Sequence, residues 1–184
     1  MTVQLRQRAF TVEEYQRLGE VGILGEDEHV ELIEGQIVEM NPIGPGHIWS
    51  VIRLNGVLAA RTDVIVSVRN PIRLDRSAPE PDLVVLRADA AQHRTPSPLD
   101  ALLVIEVAES SLEYDRATKA PLYARAGIPE LWIVDLVGER IEVYREPSPH
   151  GYRVLRFFAR GERLAPEFAP NLLIDVDTIL GPSA

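Results

Sequence analysis

Ala101-Leu-Leu-Val-Ile-Glu-Val-Ala108 is followed by a helix-forming stretch that stops at Gly127, and then by Pro129-Glu-Leu-Trp-Ile-Val-Asp135. Both flanking runs are short, apolar and bounded by breakers, which predicts buried strands. Two strands joined through a helix in one sheet need a right-handed crossover and lie parallel. Pro121 leaves two starts open for that helix: near Ala120, or near Asp115 with a bend, because proline fits without distortion only in the first turn. Gly127 suits the position just past the helix end. Glu106 follows five consecutive apolar residues in the first strand, where an unpaired carboxylate is costly to bury.

Working outward, Glu80-Pro-Asp-Leu-Val-Val-Leu-Arg87 is a second apolar run that opens on an acid, Asp82. If these two strands are neighbours, both carboxylates reach one end of the sheet. Two hard oxygen ligands with room for water suit magnesium or manganese, and such an ion activates water and steadies charge on a phosphoryl oxygen. Lys119 would orient the water or offset charge, and Glu31 would act from behind the ligands. The same acids and lysine also fit an ordinary structural salt bridge.

The rest of the chain supplies the frame. Thr11-Val-Glu-Glu14 is a capping box starting a short packing helix. Val30 to Val38 reads as a hairpin turning at Gly35, with Glu31 on the face opposite its apolar neighbours. Asn41 to Gly46 breaks that hairpin. From His47 to about Arg61 the period becomes helical, with Ile48, Val51, Ile52, Val57 and Leu58 as the apolar stripe and His47 in the first turn. Asp63 to Asp75 alternates as a strand with a break or as two short strands. Arg87 to Asp100 reads as an exposed loop, Arg140–Arg145 and Tyr152–Phe158 as two more strands, and Leu172 to Leu180 as a short strand and turn. Early hairpins and late strands must be antiparallel. The fold class is therefore α/β, a mixed sheet with helices on its faces, and residues 1–184 are expected to form one domain with a core from about 11 to 177.

Composition narrows the function. At 184 residues the chain can bury a sizeable core, and 46% apolar with 26% charged residues is ordinary for a globular protein. With no cysteine, disulfides, thiolate zinc and thiol catalysis are excluded. The start lacks an apolar signal core and no run approaches a membrane span, so a cytoplasmic protein without membrane contact is expected. The net charge of −9 gives no long-range attraction to nucleic acid. Any such partner must be held by a local site.

Pro81-Asp82, Ile105-Glu106-Val107, Tyr114-Asp115-Arg116 with Lys119, and the run from Tyr123 to Asp135 together resemble the Uma-type family of putative restriction endonucleases, within the PD-(D/E)XK superfamily. Glu31 to Met40, followed by His47 opening a helix, is similar to that family's N-terminal signature. The resemblance runs from about Thr11 to Asp177. It implies a restriction-endonuclease-like sheet, Asp82 and Glu106 as metal ligands with the Val107 carbonyl as a third, and Glu31 as the acid from a preceding element. Many superfamily members place a lysine two residues after the second acid. Here that position is Ala108, and Lys119 looks like the replacement from the following helix.

The expected activity is magnesium- or manganese-dependent hydrolysis of phosphodiester bonds in DNA, by Asp82, Glu106, Lys119 and Glu31, with His47, Asp115 and Tyr123 as supporting candidates. A homodimer would serve double-strand cutting. Arg53, Arg61, Arg69, Arg73, Arg116 and Arg125 are candidates for a DNA-facing surface, and scattered arginines are more often simply solvated. Tyr114, Tyr123 and Trp132 could stack on bases, although core packing is the stronger expectation for Tyr123 and Trp132. Asp115 and Lys119, at i and i+4, also fit a surface pair. The contrasting reading is a non-catalytic interaction module that keeps this fold and closes the acids and lysine into a salt bridge.

Overall fold

The computed structural model describes residues 8–25, 27–90 and 94–182. His93 and the middle of the loop expected at Arg87–Asp100 lie outside the described residues, as does most of the N-terminal stretch read above for a signal core. The helix α1 (Val12–Glu20) starts as its capping box dictates, with the Thr11 side chain accepting from the Glu14 amide and Glu14 accepting from the Thr11 amide. Strands β1 (Val30–Ile33) and β2 (Gln36–Glu39) form the expected hairpin. Both turn residues have positive φ, Glu34 at 50° and Gly35 at 80°, which makes the turn type I′. Gly35 is required twice over, because a Cβ there would also press on Ala9 and on the Phe10 carbonyl.

The main sheet has six strands in the order β3 (Val64–Val68), β4 (Leu83–Arg87), β5 (Ala101–Ala108), β6 (Glu130–Asp135), β7 (Arg140–Ser148) and β8 (Gly151–Ala159). Among the described residues only the β5–β6 pair is parallel, as the crossover argument requires. One face packs on α2 (Pro45–Leu58) and α5 (Val176–Leu180), burying Leu54, Leu58, Leu103, Ile105, Trp132, Val134 and Ile179. The other face packs under the crossover helix, burying Val84, Val104, Leu122, Tyr123, Ile128, Leu131 and Ile133. Short strands β9 (Arg163–Leu164) and β10 (Ile174–Asp175) pair beside α5. The tail thus ends in a helix where a turn was expected.

Two further expectations are corrected here. The buried side of α2 carries His47, Ser50, Val51, Leu54 and Leu58, whereas Ile48 and Ile52 are 42% and 49% exposed. This helix is apolar nearly all round, so its stripe could not be phased from apolar residues alone. Two polar side chains belong to the buried side because each has a partner there; Ser50 Oγ, for instance, donates to the Ile179 carbonyl at 2.9 Å. The strand expected through Asp75 ends at Val68. Ile72 and Leu74 are buried from a loop that folds back on itself, Ile72 N donating to Pro79 O and Leu74 N to Ser77 O.

The crossover helix follows neither proposed start. It begins as α3 (Leu112–Tyr114), widens into a π-helical turn (Asp115–Lys119) and continues as α4 (Ala120–Arg125). The Ala120 amide reaches back to the Asp115 carbonyl, one residue further than in an α-helix. That extra residue sits just before Pro121, which has no amide to give and crowds the preceding turn. Gly127, at φ 80°, ends α4 with Ile128 N bonded to Tyr123 O.

Candidate active site

Leu83 pairs with Ile105 across the antiparallel β4–β5 ladder. The residue before Leu83 and the residue after Ile105 are therefore neighbours on one face, and these are Asp82 and Glu106. Asp82 is fixed from two sides. Its Oδ2 accepts from the Val107 amide at 2.8 Å, and its Oδ1 lies 2.7 Å from His47 Nε2 at the mouth of α2. Glu106 Oε1 accepts from the Tyr123 hydroxyl at 2.7 Å and stands 3.2 Å from Lys119 Nζ. The lysine is also 3.3 Å from Glu31 Oε2. Glu31 completes the group by accepting from the Glu80 amide at 3.2 Å and from the Tyr114 hydroxyl at 3.3 Å.

All seven candidates are brought to one place: Asp82, Glu106, Lys119, Glu31, His47 and Asp115 line a cavity of about 280 Å³, and Tyr123 supports Glu106 from beneath. Asp115 and Lys119 are 3% and 5% exposed, which overturns the surface-pair reading. The π turn brings both inward, and Ser111 Oγ donates to Asp115 at 2.7 Å. Trp132 is core, its indole donating to Glu130 at 2.8 Å. Of the six arginines, only Arg69 lines the cavity. Arg61, Arg73, Arg116 and Arg125 pair with Asp63, Glu13, Glu142 and Glu34, and Arg53 lies over the Trp49 ring.

Burial pushes the Glu106 carboxyl well above the usual range, and nearby Asp115, Asp82 and Glu31 add to this against the pull of Lys119. Burial would push Lys119 down, but Glu106, Glu31 and Asp115 outweigh it and hold the ammonium above its ordinary value. Lys119 is thus held charged, whereas burial works against the charge on Glu106. Glu80 and Asp115 are also raised, chiefly by burial.

Sequence reading left Glu39, Glu80 and Glu109 unassigned, yet all three line the cavity. Glu80 and Glu109 flank the two acid-bearing strands, and that adjacency was the available signal. Among the described residues no three His, Asp or Glu side chains gather as a metal cage. The donor set still fits magnesium, which keeps most of its waters and takes one or two carboxylates. Asp82 and Glu106 adjoin, and Glu106 Oε2 takes no hydrogen bond among the described residues.

A comparison with curated proteins gave no match. Among solved structures, a crystal structure described as a putative nuclease belonging to DUF820 from Anabaena variabilis is similar at a TM-score of 0.72. It is 16% identical in sequence, and the match covers 93% of this chain and 97% of that one. The likeness shows a shared fold, a six-stranded mixed sheet flanked by helices. The family model described as "Uma2: Putative restriction endonuclease" matches residues 12–177, nearly the whole chain, and the protein belongs to that family.

Proposed function

We propose that this protein is a magnesium-dependent nuclease that hydrolyses phosphodiester bonds in DNA. The observation that carries the reading is the adjacency of Asp82 and Glu106 at the end of β4 and β5, inside a cavity that also receives Lys119. Asp82 and Glu106 would hold the ion, which supplies charge stabilisation at the phosphoryl oxygen. His47 and the Val107 amide hold Asp82 in one orientation. Lys119, held beside Glu31 and Glu106, would steady negative charge developing in the transition state. The Tyr123 hydroxyl, donating to Glu106 Oε1, orients that carboxylate and leaves Oε2 for the ion. Cutting both strands of a duplex would need two such sites, so the active form is proposed to be a homodimer.

One observation favours the contrasting reading of a non-catalytic interaction module: Lys119 already bridges Glu31 and Glu106. Calorimetry with manganese, beside plasmid nicking in magnesium, separates the two. We expect binding and nicking by the wild type, with nicking reduced at least ~100-fold in Asp82→Ala, the scale of losing a group that stabilises the transition state. Absence of both manganese binding and nicking would overturn the nuclease in favour of the closed salt bridge.

A further inference from the structure

The charge of the cavity wall opposes a phosphate unless a free cation receives it. Among the described residues seven carboxylates line it: Glu31, Glu39, Glu80, Asp82, Glu106, Glu109 and Asp115. Of its basic side chains, Lys119 is engaged by Glu31 and Glu106, and His47 by Asp82. Arg69 is different. It lines the same cavity, and among the described residues its guanidinium makes no salt bridge or hydrogen bond. Glu80 is close enough to feel its charge but forms no ion pair with it.

Its backbone is also unusual. Arg69 has φ 50°, a left-handed conformation that a long side chain adopts at a cost. The next residue is Asn70, a type that accepts this conformation readily, yet the strained position is held by arginine. Two sets of bonds fix it. Asn70 Nδ2 donates to Ser67 Oγ and to the Val68 carbonyl, and the Arg69 amide donates to the carbonyl of Asp82 at 3.1 Å. The arginine is therefore tied to the peptide that carries the first acid. Strain held by surrounding bonds beside a cavity is a pointer to function.

We propose that Arg69 is the phosphate-binding residue of this site, its guanidinium taking the non-bridging oxygens of a phosphodiester laid against Asp82 and Glu106. A planar fork with permanent charge suits two oxygens of one phosphate, which an ammonium meets only as a point charge. This assignment rests on the nuclease reading for its substrate, but its test does not depend on turnover.

A fluorescein-labelled short duplex would be titrated by anisotropy, with calcium replacing magnesium so that no bond is cut. The proteins are wild type, Arg69→Gln, Arg69→Lys, Arg69→Gly and, as a control, Arg125→Gln, whose arginine pairs with Glu34 outside the cavity. Loss of a charge-assisted bidentate contact should weaken binding about tenfold to a hundredfold in Arg69→Gln, with partial recovery in Arg69→Lys and no change in Arg125→Gln. Arg69→Gly relieves the positive φ, so it should melt no lower than wild type while binding as weakly as Arg69→Gln. Equal binding by Arg69→Gln and wild type, or no binding by wild type, would overturn the assignment. Parallel nicking assays keep the two readings apart. Nicking that survives in Arg69→Gln with unchanged KM removes Arg69 and leaves the nuclease standing. Arg69-dependent binding without any nicking by wild type keeps the phosphate site and removes the nuclease.

Discussion

At the scale of single residues, Lys119 decides the state of the site. Among the described residues it is the one cation within reach of both Glu31 and Glu106, and all three side chains are almost fully buried. Replacing it by methionine keeps the stem and removes the charge, leaving Glu31 and Glu106 with hydrogen-bond donors but no cationic partner. Breaking a buried pair from one side costs about 3–5 kcal/mol, and urea unfolding at neutral pH should show a loss of that size. The deficit should shrink in acid, where the stranded carboxylates take up protons. A loss that is unchanged between acid and neutral pH would mean that lost packing, not charge, is responsible.

Glu106 gives the pH dependence its sign. Its folded carboxyl is raised by burial, so its contribution to stability is full below the ordinary carboxylate range and fades as pH rises through the folded value. Cation binding runs the other way, because only the ionised carboxylate is a ligand. Manganese affinity measured by calorimetry should therefore rise with pH beyond the ordinary carboxylate range and level off once Glu106 is ionised. A pH dependence of affinity that is the same in Glu106→Gln as in wild type would remove Glu106 from the ligand set.

At the scale of elements, the β1–β2 turn and the π turn do comparable work by placing acids and lysine. The hairpin delivers Glu31, and its I′ turn needs positive φ at Gly35, where a Cβ would also meet Ala9 and Phe10. Gly35→Ala should cost about 1–2 kcal/mol through the left-handed conformation alone, and the crowding adds to it. A shift in the urea midpoint with unchanged slope would report this; an unshifted midpoint would show that the hairpin relaxes freely. The π turn places Asp115 and Lys119 inward together, four residues apart, while α4 continues past Pro121. Two elements far apart in sequence thus converge on Glu106, one through Glu31 and one through Lys119.

At the scale of the whole molecule, the balance of charge constrains how DNA could be held. The chain carries −9, and four of the six arginines considered for a DNA surface are paired with acids of their own. Among the described residues no helix is long and apolar enough to cross a membrane. If Arg69 and Lys119 make the phosphate contacts, the affinity for DNA should fall only gently with salt, with a log–log slope of about −1 to −2, set by roughly one or two contacts. Anisotropy titrations across a salt series would measure it. A slope several times steeper would reveal a basic surface that neither Arg69 nor Lys119 supplies.

The sequence by itself determined the order of elements, the parallel pair and the identity of the central acids. Those follow from local properties: apolar runs of strand length, breakers between them, a capping box, a glycine where φ must be positive, and acids in strands that otherwise exclude charge. The family resemblance rested on the same residues. Only the tertiary structure decided which side of α2 is buried, because a helix apolar all round has no phase until a sheet is laid against it. It alone turned the Asp115–Lys119 spacing into a buried placement, since the π turn answers both to Pro121 and to the packing of α4 on the sheet. It alone placed Arg69, and none of the other five arginines considered, in the cavity wall. Which guanidinium faces the acids depends on chain segments distant in sequence, and no local pattern carries that information.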